Sequence, residues 1–222
     1  MAGARAIHLR TAVRVGCVLP LGTWAWWMAT GGLGANPVEA SIRTSGQWAF
    51  WLLLACLAVT PTRRLLRMTD LAPLRRTLGL FSFFYGVLHV VCYGVIDQAL
   101  DFGAILTDML KRMHIGAGVV AFVVLALLAA TSPRRMVVWL GAMRWRRLHQ
   151  LVHVVAIVTL LHICLLTKGR SAEPWIYGVL LALLLLPRLL SAGAPRMAAA
   201  IWHQPTPPHS RAASLIIESR QR

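Results

Sequence analysis

The sequence predicts an all-α polytopic membrane protein, built as a bundle of six transmembrane helices. Of its 222 residues, 58% are hydrophobic and only 14% are charged, whereas soluble domains have roughly 25% charged residues. The mean hydropathy is +0.65, and no stretch shows the alternation of apolar and polar residues typical of strands. This composition excludes a disordered chain, a collagen and a small disulfide scaffold. It also argues against a soluble enzyme, which could not bury so much apolar surface.

Six apolar segments carry the helix prediction. A helix needs about 20 mostly apolar residues to cross the hydrocarbon core, with about 17 as a lower limit. The candidates cover residues 14–30, 45–61, 78–97, 114–131, 148–166 and 174–190. Pro61 and Pro133 follow the second and fourth segments, where we expect those helices to end, and Pro187 is expected to kink the sixth. The first segment lacks the cleavage site of a signal peptide, so we expect it to be retained.

The basic residues predict the orientation of the bundle. With six crossings, one side of the membrane carries 18 basic and two acidic residues, a net charge of +16, and the other side carries five of each. Cytoplasmic loops are enriched in Lys and Arg, so both termini are predicted to be cytoplasmic. The predicted organisation is an N-terminal tail at 1–13, a transmembrane domain at 14–190 and a C-terminal tail at 191–222. The short loops leave no room for a nucleotide-binding module.

Histidines are the candidate functional residues, because ionisable groups within a membrane are costly and indicate function. His89 lies in helix three, about 17 Å from its inner end, and His162 lies in helix five, about 21 Å from the same side. Two neutral imidazoles at similar depth can ligate a haem iron from opposite faces. Gly86, one turn before His89, would leave room for a flat macrocycle. The alternative is that these histidines form hydrogen bonds between helices or relay protons.

Helix five carries two more histidines. His149 lies near the inner surface, 13 residues before His162, which places the two about 140° apart around an ideal helix. Either they serve different cofactors or the helix is irregular between them. His153 is one turn from His149 and is either a spare ligand or a helix-packing residue, and we favour the second. His114 begins helix four at the outer surface, where we expect an interfacial role.

Arg75 and Arg76 lie at the inner mouth of helix three. Their positive charge fits the topology signal described above. Arginine also binds anions through a planar fork of donors, so the pair is a candidate for contacts with haem propionates or a flavin phosphate.

Six pieces of the sequence, in order along the chain, resemble the MsrQ (YedZ) family. They are Gly-Gly-Leu-Gly-Ala-Asn-Pro-Val at 31–38, Thr-Pro at 60–61, Arg-Arg-Thr-Leu-Gly-Leu at 75–80, Leu-His at 88–89, Trp-Arg-Arg-Leu-His at 145–149, and His162. The resemblance covers about residues 10–190. It implies a ferric-reductase-like transmembrane domain that binds haem b through His89, His149 and His162, with Arg75 and Arg76 as the matching arginine pair.

The same resemblance implies a place in an electron-transfer system of the bacterial inner membrane. Electrons would come from the quinone pool, with flavin mononucleotide (FMN) as a further cofactor. They would pass to a periplasmic molybdopterin-containing methionine sulfoxide reductase that repairs oxidised envelope proteins. The rival functions are a stand-alone haem reductase, acting on ferric iron or quinone, and a non-redox transporter or scaffold.

Two departures from the family pattern bear on the site. The family often has Arg-Pro-Tyr where this chain has Arg112-Met113-His114, so a role for that tyrosine is in doubt here. Related ferric reductases carry two histidines in helix three. Here Arg75 and Arg76 stand at the inner position, so a second haem would lack one of its usual ligands.

Overall fold

A computed structural model of the chain describes the backbone of residues 2–68 and 71–193, and the side chains of 7–68 and 71–186. All of the regular structure in these ranges is helical. The helices are α1 Ala2–Thr30, α2 Pro37–Leu66, α3 Leu74–Val91, α4 Phe102–Lys111, α5 Met113–Ala130, α6 Arg134–Leu140, α7 Ala142–His149, α8 Val152–Thr167 and α9 Glu173–Gly193. A π-helical turn, Cys92–Asp97, extends α3. The all-α prediction is confirmed.

Four of these helical segments are long and apolar enough to cross a membrane. Within the described part of the chain they are α2, α3 with its π-helical turn, α5, and α7 together with α8. Helices α1 and α9 lie where the first and sixth crossings are predicted, but α1 is not among the four, and the described apolar part of α9, Glu173–Leu186, is shorter. The multi-pass membrane fold is therefore supported by four crossings, and the count of six stays a prediction.

Several predicted boundaries differ from the structure, among them the starts of the first two helices, which begin at Ala2 and Pro37 and not at residues 14 and 45. Helix α2 passes through Pro61 and ends at Leu66, because a proline removes one backbone donor and bends a helix without necessarily ending it. The fifth predicted segment is two helices, since α7 ends at His149 and α8 begins at Val152. Two connections expected to be loops contain the short helices α4 and α6.

The glycine-rich segment between α1 and α2 is a tight turn. Gly31 and Gly34 have φ of +73° and +81°, a region that L side chains enter at a cost. The side chain of Asn36 accepts a hydrogen bond from the backbone N–H of Glu39 and so caps α2, whose first residue is Pro37. Proline suits this position because its missing N–H would have no partner in the first turn.

The chain divides into two compact units, residues 1–184 and 185–222, and the packing described here is that of the first. Of the second, the structure describes only the end of α9 up to Gly193, so the predicted C-terminal tail lies almost wholly outside the described residues. In the first unit, the most extensive helix contacts pair α2 with α3 and α5 with α8. Smaller contacts join α3 to α5 and α2 to α8. The bundle is thus built from two helix pairs.

The centre of the first unit is densely packed. Phe50 and Leu57 on α2 and Val155 on α8 are each 1% exposed, and the ring of Phe50 meets that of Tyr177 edge-on, with centroids 5.3 Å apart. The hydroxyl of Ser82 on α3 donates to the carbonyl oxygen of Ala49 on α2 at 2.8 Å. Close packing and such hydrogen bonds are the forces that hold helices together in lipid, where no hydrophobic gain remains between them.

The outer surface of the helices is apolar. Val120, Val123 and Leu127 on α5 are exposed, as are Ile157 and Leu161 on α8. A helix that is apolar on all sides is either buried in a large core or surrounded by lipid. Because these side chains are exposed, the surface fits a lipid environment.

Candidate functional site

His89 is held against a neighbouring helix by its ring nitrogen. It lies in the last turn of α3, and its Nδ1 is 2.8 Å from the carbonyl oxygen of Ile42 on α2. A carbonyl oxygen can only accept a hydrogen bond, so Nδ1 must carry the proton. In a neutral imidazole the other nitrogen, Nε2, then keeps its lone pair and is available as a metal ligand.

His162 is held in the same way on the second helix pair. It lies on α8, and its Nδ1 is 2.6 Å from the carbonyl oxygen of His114 on α5. The same reasoning places the proton on Nδ1 and the lone pair on Nε2. The two histidines therefore have the same tautomer, with the proton on Nδ1. Each ring is held by a backbone carbonyl of the neighbouring helix.

The structure brings these two histidines together. The ring centroids of His89 and His162 are 6.3 Å apart, and the ring planes are nearly perpendicular at 87°. Both side chains are partly buried. The similar depth expected from helix geometry is thus found in the fold, although the two residues are 73 positions apart in the sequence.

The donor set fits an iron macrocycle better than a bare metal ion. Among the described residues, no group of three or more His, Cys, Asp or Glu side chains could hold a metal ion. A haem brings four nitrogens of its own and needs only axial ligands. A ring nitrogen lies about 1 Å from its centroid, so with both Nε2 atoms directed at a common centre the centroid separation of 6.3 Å would leave about 4 Å for two metal–imidazole bonds of about 2 Å each. The pair therefore fits axial ligation of a haem iron.

Two glycines make room for the histidine rings. A Cβ atom on Gly46 of α2 would lie 2.9 Å from Nδ1 of His89, and one on Gly118 of α5 would lie 3.0 Å from Nδ1 of His162. Sequence analysis missed both residues. A signal was available for Gly118, which lies inside an apolar helix, where a glycine is unfavourable and usually has a packing or functional reason. Gly46 lies in a polar stretch between Ser45 and Gln47 and gave no such signal.

Gly86 faces side chains of α5, and its expected role of leaving room for a macrocycle stays a prediction. A Cβ on Gly86 would meet the side chains of Leu125 and Phe122 on α5 at 3.7 Å, an ordinary contact. Gly86 therefore lies where α3 packs against α5, and the glycines that border the histidine rings are Gly46 and Gly118. The reason is that helix periodicity identifies residues on one face without identifying the neighbour that this face meets.

His149 occupies a separate environment at the end of α7. Its ring stacks on that of Trp145, with centroids 4.1 Å apart and planes 27° apart, and its Nδ1 is 3.3 Å from the carbonyl oxygen of Trp145. The turn at Gln150 separates it from α8 and His162. The helix is therefore irregular between His149 and His162, which was one of the two alternatives left open by the sequence. The angle of about 140° between them, calculated for an ideal helix, does not apply.

The arginine pair lies beside His149. Arg75 is partly buried and close enough for its charge to act on the His149 imidazole. Arg76 is exposed, and its Nε donates to the hydroxyl of Ser132 at 3.2 Å. Arg75 and Arg76 thus form a cationic pair at the start of α3, with His149 within range of the charge of Arg75, and this group is distinct from the pair formed by His89 and His162.

Two further histidines, His114 and His153, have other surroundings. The ring of His114 lies 6.1 Å from that of His162, tilted by 48°, while its carbonyl oxygen accepts the hydrogen bond from His162. Nδ1 of His153 is 2.7 Å from the carbonyl oxygen of Gln150, three residues earlier. His114 therefore contributes to the pair at least through its main chain. His153 contacts a carbonyl of its own segment, and the choice between a spare ligand and a helix-packing residue stays a prediction.

Comparison with known proteins agrees with this arrangement. Residues 45–160 match the family model described as "Ferric reductase like transmembrane component". A protein of Rhodospirillum rubrum named "Protein-methionine-sulfoxide reductase heme-binding subunit MsrQ" is 45% identical over 183 residues, which cover 82% of this chain and 88% of that protein. Proteins of the same name from Herminiimonas arsenicoxydans and Caulobacter vibrioides are 40% and 41% identical, over 85% and 80% of this chain and 87% and 84% of theirs.

No solved structure matches the chain. The matched region contains both glycines that border the rings, and His89 and His149, while His162 follows it by two residues. The similarity to the curated relatives extends over at least four fifths of the chain in each of the three comparisons above. With 45% identity over 82% of its length, this chain belongs to the MsrQ family of ferric-reductase-like membrane proteins.

Proposed function

We propose that the chain is the haem b-binding electron-transfer subunit of a methionine sulfoxide reductase system, with His89 and His162 as the two axial ligands. The observation that carries the proposal is the facing pair of imidazoles, 6.3 Å apart, each with Nδ1 bonded to a backbone carbonyl. The names of the relatives describe haem-binding subunits of a protein-methionine-sulfoxide reductase, which supports the haem and the sulfoxide reductase system proposed here. Bound there, the haem would accept and release one electron at a time.

The protein's own residues prepare this site in two ways. The hydrogen bonds at Nδ1 fix the tautomer and direct the lone pair of each imidazole away from the carbonyl, and they raise the basicity of the ligand. Neutral imidazole also avoids the cost of placing a charged side chain within the bilayer. Phe50 and Val155 are almost completely buried, as expected of an apolar bundle interior. The chain thus supplies a preformed and neutral pair of ligands.

The group around His149 is proposed as a second, inner cofactor site. Arginine recognises carboxylate and phosphate groups through paired N–H donors, which suits either haem propionates or the phosphate of FMN. The partly buried Arg75 faces His149, and Trp145 offers a ring that stacks on the imidazole. Such a site at the arginine-rich end would receive electrons before the pair formed by His89 and His162.

The charge distribution supports an orientation in the membrane, and with it a direction of electron transfer. The net charge of +16 on one predicted side indicates that the arginine-rich end faces the cytoplasm, with both termini there, in the bacterial inner membrane. Electrons from the quinone pool would enter near that end and leave near His114. The acceptor is proposed to be a periplasmic molybdopterin-containing catalytic subunit. That partner would use two electrons and two protons to convert each methionine sulfoxide to methionine and water, which restores an apolar side chain.

A stand-alone haem reductase is the second candidate, and the match to a ferric-reductase-like component favours it. It would share the haem site and differ in the acceptor. A non-redox transporter or scaffold would need no haem at all. These three functions differ in what the purified protein absorbs and in what it reduces.

The test is a reduced-minus-oxidised absorption spectrum of the purified full-length protein, followed by electron transfer to candidate acceptors. A b-type spectrum and transfer to the methionine sulfoxide reductase are the expected results. A b-type spectrum with transfer only to ferric iron or quinone would favour the stand-alone reductase. A colourless protein from cells supplied with haem would contradict both haem-based functions.

A further inference from the structure

Because Gly46 has no side chain, one carbonyl group of α2 is accessible to His89. In α2 the carbonyl oxygen of Ile42 accepts from Nδ1 of His89 at 2.8 Å, and Gly46 stands four residues after Ile42. Residues four apart are neighbours on one face of a helix, and each Cα–Cβ bond is tilted toward the N-terminus. A side chain at position 46 would therefore lie over the carbonyl of residue 42. Its Cβ alone would stand 2.9 Å from Nδ1 of His89 and 3.1 Å from Cε1.

Gly118 stands in the same relation to the second histidine. The carbonyl oxygen of His114 accepts from Nδ1 of His162, and Gly118 again follows the accepting residue by four positions. A Cβ there would stand 3.0 Å from Nδ1 and 3.2 Å from Cε1 of His162. The two helix pairs thus repeat one local arrangement, in which a glycine uncovers the carbonyl group of the preceding turn and an imidazole from the opposite helix occupies the space.

We propose that Gly46 and Gly118 are positioning residues of the haem site, each acting on one axial histidine by keeping a helix carbonyl accessible to its Nδ1–H. This inference rests on the proposed haem function. Among the other glycines whose surroundings the structure describes, none would place a Cβ against an imidazole. On α5 itself, a Cβ at Gly116 would meet the carbonyl oxygen of Met109 at 3.5 Å, which is an ordinary contact.

Alanine at either position should displace one ring and weaken one hydrogen bond. At position 46 the added Cβ would lie 2.9 Å from Nδ1 of His89, closer than side-chain atoms approach, so that ring must move; at position 118 it would lie 3.0 Å from Nδ1 of His162, so that ring must shift by a few tenths of an ångström. Loss of the Nδ1–H···O bond makes the histidine a weaker electron donor to iron. The haem potential should then shift to a more positive value. A rotated ring should also change the 87° angle between the imidazole planes, to which the EPR spectrum of a low-spin ferric haem is sensitive.

The experiment compares the full-length haem protein with Gly46→Ala, Gly118→Ala and the matched control Gly116→Ala. Redox titration and EPR should show a positive shift and an altered low-spin signal in the first two variants and wild-type behaviour in the control. ¹⁵N NMR of histidine-labelled full-length protein in the reduced state adds a readout that does not depend on activity. It should show the Nδ1–H signals of His89 and His162 in the wild type, identified by their absence from His89→Ala and His162→Ala, and the loss of the matching signal in each of the two glycine variants.

The NMR measurement also covers a variant that fails to retain haem. Haem loss together with loss of the matching Nδ1–H signal supports the inference, whereas haem loss with both signals intact overturns it. Wild-type potential, EPR signal and Nδ1–H signals in both alanine variants would likewise overturn it and leave the haem function standing. If the wild type shows no haem with two histidine ligands, the proposed function itself fails and the inference fails with it.

Discussion

The imidazole of His89 stands almost perpendicular to that of His162, at 87°, with the ring centroids 6.3 Å apart. Neither orientation is determined by the helix that carries the histidine. The carbonyl of Ile42 on α2 holds the first ring, and that of His114 on α5 holds the second. The geometry of the pair therefore depends on how α2 packs against α3 and α5 against α8, and four helices are needed to prepare two ligands.

His89→Ala and His162→Ala should each abolish most of the haem absorbance, because removal of one axial ligand leaves the iron with a single imidazole. The measurement is the reduced-minus-oxidised spectrum of the purified variants at equal protein concentration. His153→Ala is the matched control, since that ring contacts the carbonyl of Gln150 in its own segment. Full b-type spectra in both correctly folded ligand variants would show that the pairing is wrong.

His149→Ala should reduce electron transfer more than it reduces the spectrum of the pair formed by His89 and His162. The ring of His149 stacks on that of Trp145, and His149 precedes His162 by 13 residues in the chain. Loss of His149 should therefore affect a separate step of electron transfer. Spectra and transfer rates to the proposed methionine sulfoxide reductase partner are measured on the same membranes. An identical spectral loss in the His89, His149 and His162 variants would indicate a single interdependent site instead.

Arg75→Lys combined with Arg76→Lys separates the two roles of the arginine pair. Lysine keeps the charge that orients the protein but lacks the planar fork that binds carboxylate or phosphate. We expect impaired electron transfer at matched protein level. Loss of transfer with haem retained would point to a flavin or quinone site, and loss of both to haem propionates. Wild-type rates would leave only the topological role.

His114→Ala should retain most of the haem absorbance that His162→Ala removes. His162 is bonded to the carbonyl oxygen of His114, and alanine keeps that group. The comparison uses the same spectra, with Gly118→Ala as the variant that disturbs the hydrogen bond itself. A loss in His114→Ala as large as that in His162→Ala would show that the imidazole of His114 is also required.

Phe50→Ala should destabilise the bundle, because Phe50 is 1% exposed and its ring packs edge-on against Tyr177. Truncation of a buried phenylalanine typically lowers the free energy of unfolding by about 3–5 kcal/mol. Denaturant unfolding in detergent, followed by circular dichroism, measures the change. Val123→Ala on the exposed face of α5 is the control and should be close to neutral. Equal effects of the two substitutions would contradict the packing described for α2.

Local properties of the chain were predictable. Hydropathy depends on composition along a short window, so each predicted segment coincides with helix in the described residues. The rise per residue of a helix also placed His89 and His162 at similar depth. The predicted positions of the helix ends were less accurate. Helix α2 continues through Pro61 and α7 ends at His149, because tertiary packing can maintain a helix past a proline or interrupt one where the sequence contains no breaker.

The sequence by itself determined that this is a helical membrane protein and which histidines could bind haem, since both follow from residue type and position along a helix. Only the tertiary structure decided which residues surround them. Gly86 shares a face with His89, yet the glycines beside the rings are Gly46 and Gly118, on two other helices. The physical reason is that periodicity gives the direction of a side chain about its own helix axis, whereas the partner it meets depends on the rotation and crossing of a second helix.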